Sequence, residues 1–394
     1  MKSDPQSREK LMTQKTHEQK QRRTRALIAV GAAVSLVAGG TVIALVAGGG
    51  DTESNAVKPP SALHVLARPE QSPPQDLIAA GGVAVSGYHT TKIANEADGD
   101  AVVTYTWSLY NAAAKRYQKT DWAWVDVAPG MRTAAVLERD LPADRIGMLN
   151  MATGKVQRWI KVDKGIGGVQ FSPDGKSLIA TTYSLNPDGL FKDASYRLNR
   201  KKVPGPKPSR TGFYVIDLAT GKASFSALPP RKDGPGVYGG AGRQDLRWSS
   251  DGKLLWEPAA NKAGKVYYNE HAHKSAVPEP EASLPSPGGV LSPDGAHITG
   301  SFAGEDGQIV SEVLDAKTGK RSALVPGQQL LAWADDDHLI AWRCDPEQCE
   351  PGKGEFRNRL LLVGLNGEDT IPLSGFRQAK LRDENRWTPI LSDR

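Results

Sequence analysis

Few residue sets in this chain have the types and spacing for chemistry. His271 and His273, in HAH, stand two apart, so on a strand both imidazoles would project from one face and could begin a metal site. Nothing nearby in the sequence completes the ligand set, and they read as surface histidines. Asp335, Asp336 and Asp337 form an acidic run. A calcium loop needs oxygen ligands at alternating positions, an internal Gly and a closing Glu. That pattern is missing, and the run falls where other parts of the chain carry a turn. No G-x-S-x-G nucleophile elbow occurs. No catalytic residue, metal or cofactor is expected.

Two stretches stand above this background as candidates for binding. Residues 186–210, NPDGLFKDASYRLNRKKVPGPKPSR, hold Lys192, Arg197, Arg200, Lys201, Lys202, Lys207 and Arg210 against two acids. A Pro/Gly-rich basic excursion from a scaffold can meet an anionic wall polymer, lipid headgroups or an acidic protein face. The bland reading, favoured by composition alone, is a solvated, mobile loop. Residues 105–124 hold Tyr105, Trp107, Tyr110, Tyr117, Trp122 and Trp124. Trp107, Trp122 and Trp124 could stack on sugars or peptides, or could fill the space between packed sheets. The two cysteines, Cys344 and Cys349 in CDPEQC, suit a short-loop disulfide worth about 2 kcal/mol in an oxidising compartment. Two thiols alone cannot complete a tetrahedral zinc site.

The elements that must position these residues begin with a membrane span. Residues 1–25 carry eight Lys or Arg and three acids, so most of the net charge of +6 lies in a tail. A nucleic-acid binder concentrates positive charge on its folded domain, so no nucleic-acid partner is expected. Residues 26–48, ALIAVGAAVSLVAGGTVIALVAG, carry no charge. As a helix they would reach about 34 Å, enough for the ~30 Å hydrocarbon core. The basic flank places the N-terminus in the cytoplasm and everything after the span outside. A cleaved signal peptide is the competing reading, although such apolar cores are shorter. Residues 49–76, with Pro59, Pro60, Pro69, Pro73 and Pro74, read as a stalk. LHVL at 63–66 could instead add a strand to the domain.

From about residue 77 to 380, period-2 runs such as VAVSGY, AVVTYTW, GFYVIDL and RLLLVGL predict short strands, and residues 381–394 read as a C-terminal tail. The strands are punctuated by a repeat. FSPDGK at 171–176, WSSDGK at 248–253 and LSPDGA at 291–296 are copies of one turn, with DVAPGM at 126–131 a worn version. Pro presets the second turn position and Gly takes the left-handed one, so each copy joins two antiparallel strands. A second phrase, NMATGK, DLATGK and DAKTGK, falls between them. Two hairpins per roughly 43 residues make a four-stranded unit, the blade of a propeller.

F-S-P-D-G-K, a strand, then D-L-x-T-G-K resembles the WD-repeat-like β-propeller of the TolB type, over about residues 126–375. The resemblance implies an all-β propeller; the repeat spacing gives a single propeller of about six four-stranded blades, with five or seven possible, after the one N-terminal transmembrane helix. Residues 77–125 lack the DG turn and are assigned a blade by length alone. Such propellers also precede peptidase domains, but only 19 residues follow Gly375, so the resemblance implies the binding role. The expected function is a non-catalytic extracytoplasmic binding or scaffold module at the cell membrane, whose partner is another envelope protein or an anionic wall polymer. The alternative is an enzyme acting on a sugar or peptide in the central channel.

Overall fold

The structure, a computed structural model, describes residues 63–394 apart from 199, 231–242, 260–263, 279–280, 283–287, 305–307, 351–354, 368 and 381–385. The expected tail 1–25 and span 26–48 lie outside the described residues. Within them no helix is long and apolar enough to cross a membrane. The fold is all-β.

The strands pair almost entirely with sequence neighbours, as hairpin chemistry dictates. β1 (Val65–Leu66), β2 (Ala79–Ala80), β3 (Val83–Asn95), β4 (Ala101–Asn111) and β5 (Arg116–Thr120) form an antiparallel path. β6 (Trp124–Val127), β7 (Thr133–Leu137), β8 (Ala143–Asn150), the long β9 (Lys155–Phe171) and β10 (Ser177–Tyr183) follow in order. β9 serves two neighbours: Lys155–Lys161 face β8, and Ile166–Phe171 face β10. β11 (Gly189–Leu198) and β12 (Lys201–Gly205) leave that sheet and join the first one at β4. β13 (Arg210–Asp217) and β14 (Ala223–Ala227) return to β10.

A four-stranded sheet follows: β15 (Arg247–Trp248), β16 (Leu255–Pro258), β17 (Lys265–Tyr268) and β18 (Lys274–Ser275). Next come β19 (His297–Phe302), β20 (Val310–Asp315) and β21 (Arg321–Pro326), with Leu291 bridged to Ile298 at the β19 edge. The last sheet holds β22 (Gln329–Trp333), β23 (His338–Cys344), β24 (Glu355–Gly364), β25 (Thr370–Pro372) and β26 (Arg377–Lys380). β27 (Trp387–Asp393) then pairs antiparallel with β3, from Trp387 opposite Thr90 to Asp393 opposite Val83.

The repeated turns are the same object each time. Ser172 Oγ donates to Asp174 Oδ1 at 2.6 Å, Lys176 N donates to the same oxygen at 3.0 Å, and Ser177 N donates to Ser172 Oγ at 2.9 Å. The set recurs at Ser249 and Asp251 and at Ser292 and Asp294. Gly175, Gly252 and Gly295 close them at φ 69°, 67° and 72°, where a Cβ would be strained. Burial pushes these aspartates up, but the serine and backbone donors more than offset it and hold them below the usual range. They are struts of the turn. In the second phrase, Asp217 accepts from Thr220 N and Thr220 Oγ1, and Asp315 does the same with Thr318.

Packing between sheets makes the core. Trp107, Val125, Val136, Leu137, Ile146, Ile166 and Leu178 belong to its largest cluster. Ile78, Val85, Ile340, Leu360 and Leu391 join β3 and β27 to the last sheet. Tryptophans tie neighbouring sheets by polar contacts too. Trp248 Nε1 donates to Gln170 O at 3.3 Å and Trp333 Nε1 to Val290 O at 3.0 Å.

Two boundaries differ from the sequence expectation. Residues 63–76 are part of the folded body, not stalk. β1 pairs with β2, Arg68 bridges Ser374, and Ser72 accepts from Arg377 and Trp387. Residues 387–393 are a strand, not a tail, because Trp387, Ile390 and Leu391 are apolar and find the open edge of β3.

Candidate functional site

The described residues of the basic insertion form a hairpin. β11 and β12 place Tyr196 opposite Val203, Arg197 opposite Lys202 and Leu198 opposite Lys201. Gly189 and Leu190 pair with Val102 and Ala101 of β4, which fixes the base of the hairpin to a neighbouring sheet. Side-chain anchors reinforce the base. Lys192 N donates to Asp100 Oδ1 at 2.8 Å, Lys192 Nζ to Asp98 O at 2.6 Å, and Lys207 Nζ to Asp193 Oδ2 at 2.6 Å while lying over the Phe191 ring. Lys192 and Lys207 are therefore spent on the hairpin itself.

The other cations divide sharply. Arg197, Arg200, Lys201 and Lys202 are exposed at the far end. Arg197 and Lys202 are directly opposed like charges, an unfavourable pairing in an isolated sheet. Arg200 takes φ 67°, uncommon for a non-glycine residue. Arg210 is not part of this surface. It is 1% exposed, and its guanidinium donates to Glu257 Oε2 at 2.6 Å and to the carbonyls of Leu228, Pro229 and Gln244. Its reason is structural: an Arg inside the sheet stack needs a full set of acceptors, and Glu257 on β16 supplies the charge.

The aromatic stretch is likewise turned inward. Trp107 is 0% and Trp124 7% exposed, and Trp122 is half-buried against Trp159. Tyr105, Trp107 and Trp124 touch one another with centroids 5.6–5.7 Å apart. They are not a stacking surface for sugars, because other protein groups already cover their faces.

One of those groups is Arg243, which lies 3.8 Å over the Trp124 ring. Its Nε and a terminal nitrogen grip both oxygens of Asp188 at 2.8 and 2.5 Å. Its remaining terminal nitrogen donates to Asp245 Oδ2 at 3.0 Å and to Gly167 O at 2.7 Å. Tyr183 OH donates to Asp245 Oδ1 and accepts from Gln244 N. Burial alone would lower the Arg243 pKa, but Asp188 and Asp245 outweigh it and hold the guanidinium charged. Burial, with Asp245 beside it, raises the Tyr183 phenol. Asp188 stands at the root of the hairpin. The two stretches singled out by sequence thus meet through Arg243: Trp124 and Tyr105 support its guanidinium, and the guanidinium holds the hairpin root. Sequence reasoning missed Arg243, which belongs to no repeat or motif.

Two further titratable groups are buried near this mount. Asp126 accepts from Phe171 N at 2.7 Å, and burial raises its carboxyl to about 7. His89 contacts Tyr105 and Trp107, has both ring nitrogens buried without a partner, and is lowered to about 3 by burial. His271 and His273 are exposed, and among the described residues no three His, Cys, Asp or Glu group to hold a metal. Asp335, Asp336 and Asp337 form a turn in which Asp337 N donates to Asp335 Oδ1. Cys344 and Cys349 are joined by a disulfide with Cα atoms 6.0 Å apart.

No protein-family model and no curated protein matches the chain. Among solved structures it is similar to TolB from Acinetobacter baumannii, at 15% identity and a TM-score of 0.39, over 80% of this chain and 67% of that one. It is also similar to the hydrazine synthase of Kuenenia stuttgartiensis, at 14% identity and a TM-score of 0.31, over 70% of this chain and 76% of that one. Likenesses this distant carry no argument, and the all-β organisation stands on the strand pairings themselves.

Proposed function

We propose that the chain is a non-catalytic binding or scaffold module outside the cytoplasm, a six-bladed propeller tethered through residues 26–48. The blades would be β27–β3–β4–β5, β6 to the first half of β9, the second half of β9 with β10, β13 and β14, β15–β18, the Leu291 edge with β19–β21, and β22–β25. Contacts between successive inner turns support a ring. Asp393 O accepts from Gly130 N, Pro129 lies against Gly175, Pro173 against Gly252, Asp336 accepts from Asp294 N, and Ala334 O accepts from Gly82 N. β27 on β3 would close it.

The observation that carries the binding role is the hairpin. A rigidly mounted β11–β12 presents Arg197, Arg200, Lys201 and Lys202 together, in a pairing that opposes like charges and that an anionic partner would relieve. An anionic wall polymer or the acidic face of an envelope protein fits this tip.

The test uses the full chain in detergent and purified anionic wall polymer in co-sedimentation. Changing Arg197, Arg200, Lys201 and Lys202 to Gln, with Lys192 and Lys207 left in place, should weaken binding at least about tenfold and flatten its salt dependence. Equal binding by both proteins would remove the hairpin from the function. A reporter fused after Arg394 should be active only outside the cytoplasm, and activity inside would refute the topology.

A further inference from the structure

A second concentration of positive charge lies on a different sheet. Arg343 on β23 is directly opposite Arg359 on β24, and Arg357 lies two residues from Arg359 on the same strand face. Asp345 is the acid at this end of the pair, and it is taken: Arg357 donates to its Oδ2 at 2.6 Å. Arg343 and Arg359 have no carboxylate partner among the described residues. The Arg359 Nε is a buried donor without an acceptor. Phe376, just before β26, places its ring 4.2 Å from the Arg359 guanidinium and 4.9 Å from that of Arg357. The ring supports the Arg359 guanidinium, and with Nε buried it is the terminal nitrogens that can meet another group.

Directly opposed like charges in a half-buried position weaken a sheet unless something neutralises them. Burial lowers the Arg359 pKa, and Arg343 adds to the effect. The disulfide loop holds the cluster in place, since Arg357 N donates to Cys349 Sγ and Asp345 N to Arg357 O. Each arginine offers a fork of N–H donors. A carboxylate is filled by one fork, whereas a tetrahedral oxyanion has enough oxygens for two.

We infer that Arg343, Arg359 and Phe376 form a binding site for a tetrahedral dianion of the phosphate class, either free phosphate or a phosphomonoester group. The site is independent of the hairpin, so the two readings stand or fall separately. Its two arginines stand at directly opposed positions on adjacent strands, its charge is matched by a dianion, and the Phe376 ring lies against Arg359.

The test is thermal melting and calorimetric titration of the full chain with inorganic phosphate, at ionic strength matched with sodium chloride, with acetate as the planar control. Phosphate should raise the melting temperature and acetate should not. Arg343→Gln and Arg359→Gln should each weaken phosphate binding about tenfold or more. In chloride alone Arg343→Gln should melt above the parent, because the opposed charge is gone, and this also shows that the variant folds. The hairpin variant should keep the phosphate response. A gain equal to that in chloride, an equal gain with acetate, retention of the gain in both arginine variants, or its loss in the hairpin variant would each overturn the site. A response to a phosphomonoester stronger than to phosphate would identify the monoester as the ligand form; the reverse order would identify the free ion.

Discussion

At the residue scale, His89 and Asp126 set opposite pH dependences in one core. His89 is depressed to about 3, so between pH 6.5 and 3 the unfolded chain binds a proton that the folded one refuses. Stability from this source is lost as pH falls. Asp126 is raised to about 7, so between 3.8 and 7 the folded chain holds a proton that the unfolded one releases. Stability from this source is lost as pH rises. Each slope is about 1.4 kcal/mol per pH unit at most, and the windows overlap, so the parent protein should show little net change from these two groups near pH 5. Asp126→Asn should expose a stability that rises with pH up to about 6.5, and His89→Leu one that falls towards about 7. Denaturant melts across pH 4 to 8 check both, and parallel curves for all three proteins would show that neither group titrates as described. Arg210 belongs to this scale as well. Glu257→Gln should destabilise by about 3 kcal/mol, since it leaves a buried guanidinium without its charge partner. Chemical denaturation measures it.

At the element scale, the hairpin depends on one residue far from it in sequence. Arg243→Gln removes the grip on Asp188, so amides of 189–205 should exchange with solvent at least about tenfold faster while β7 and β8 remain protected. Hydrogen exchange read by mass spectrometry settles this, and uniform exchange across both regions would mean that the whole fold had loosened instead. This is also where sequence legibility ends. The SPDG and TGK turns could be read because Asp, Ser, Thr and Gly are each dictated by hydrogen bonds within six residues. The pairing and mounting of β11 and β12 could not, because they are fixed by β4 and by Arg243, both remote. The same holds for the tryptophans: their spacing shows which share a strand face, but not whether that face meets water or another sheet. Arg210 was grouped with the loop by its neighbours in sequence, although its partner Glu257 stands on another sheet.

At the scale of the whole molecule, β27 is as much a part of the first sheet as β3. A chain ending at residue 386 loses Ile390 and Leu391, both buried, and the full ladder on β3. It should lose several kcal/mol, of the order set by burying two large aliphatic side chains. Loss of the cooperative thermal transition, or its shift by roughly 10 °C or more, is the expected reading. An unchanged melt would mean that the final strand is dispensable. The strand's place was not legible because its partner lies some three hundred residues earlier, and the period-2 pattern of WTPILSD carries no address.

That distance has a temporal side. During synthesis β3 emerges some three hundred residues before β27, so for most of that interval the margin of β3 that β27 will occupy lies bare. An interrupted chain therefore ends with a sticky, unsealed border, open to a second such fragment. Copies with and without this strand should part company by self-association, the intact ones remaining solitary at this margin because Trp387–Asp393 already occupy it.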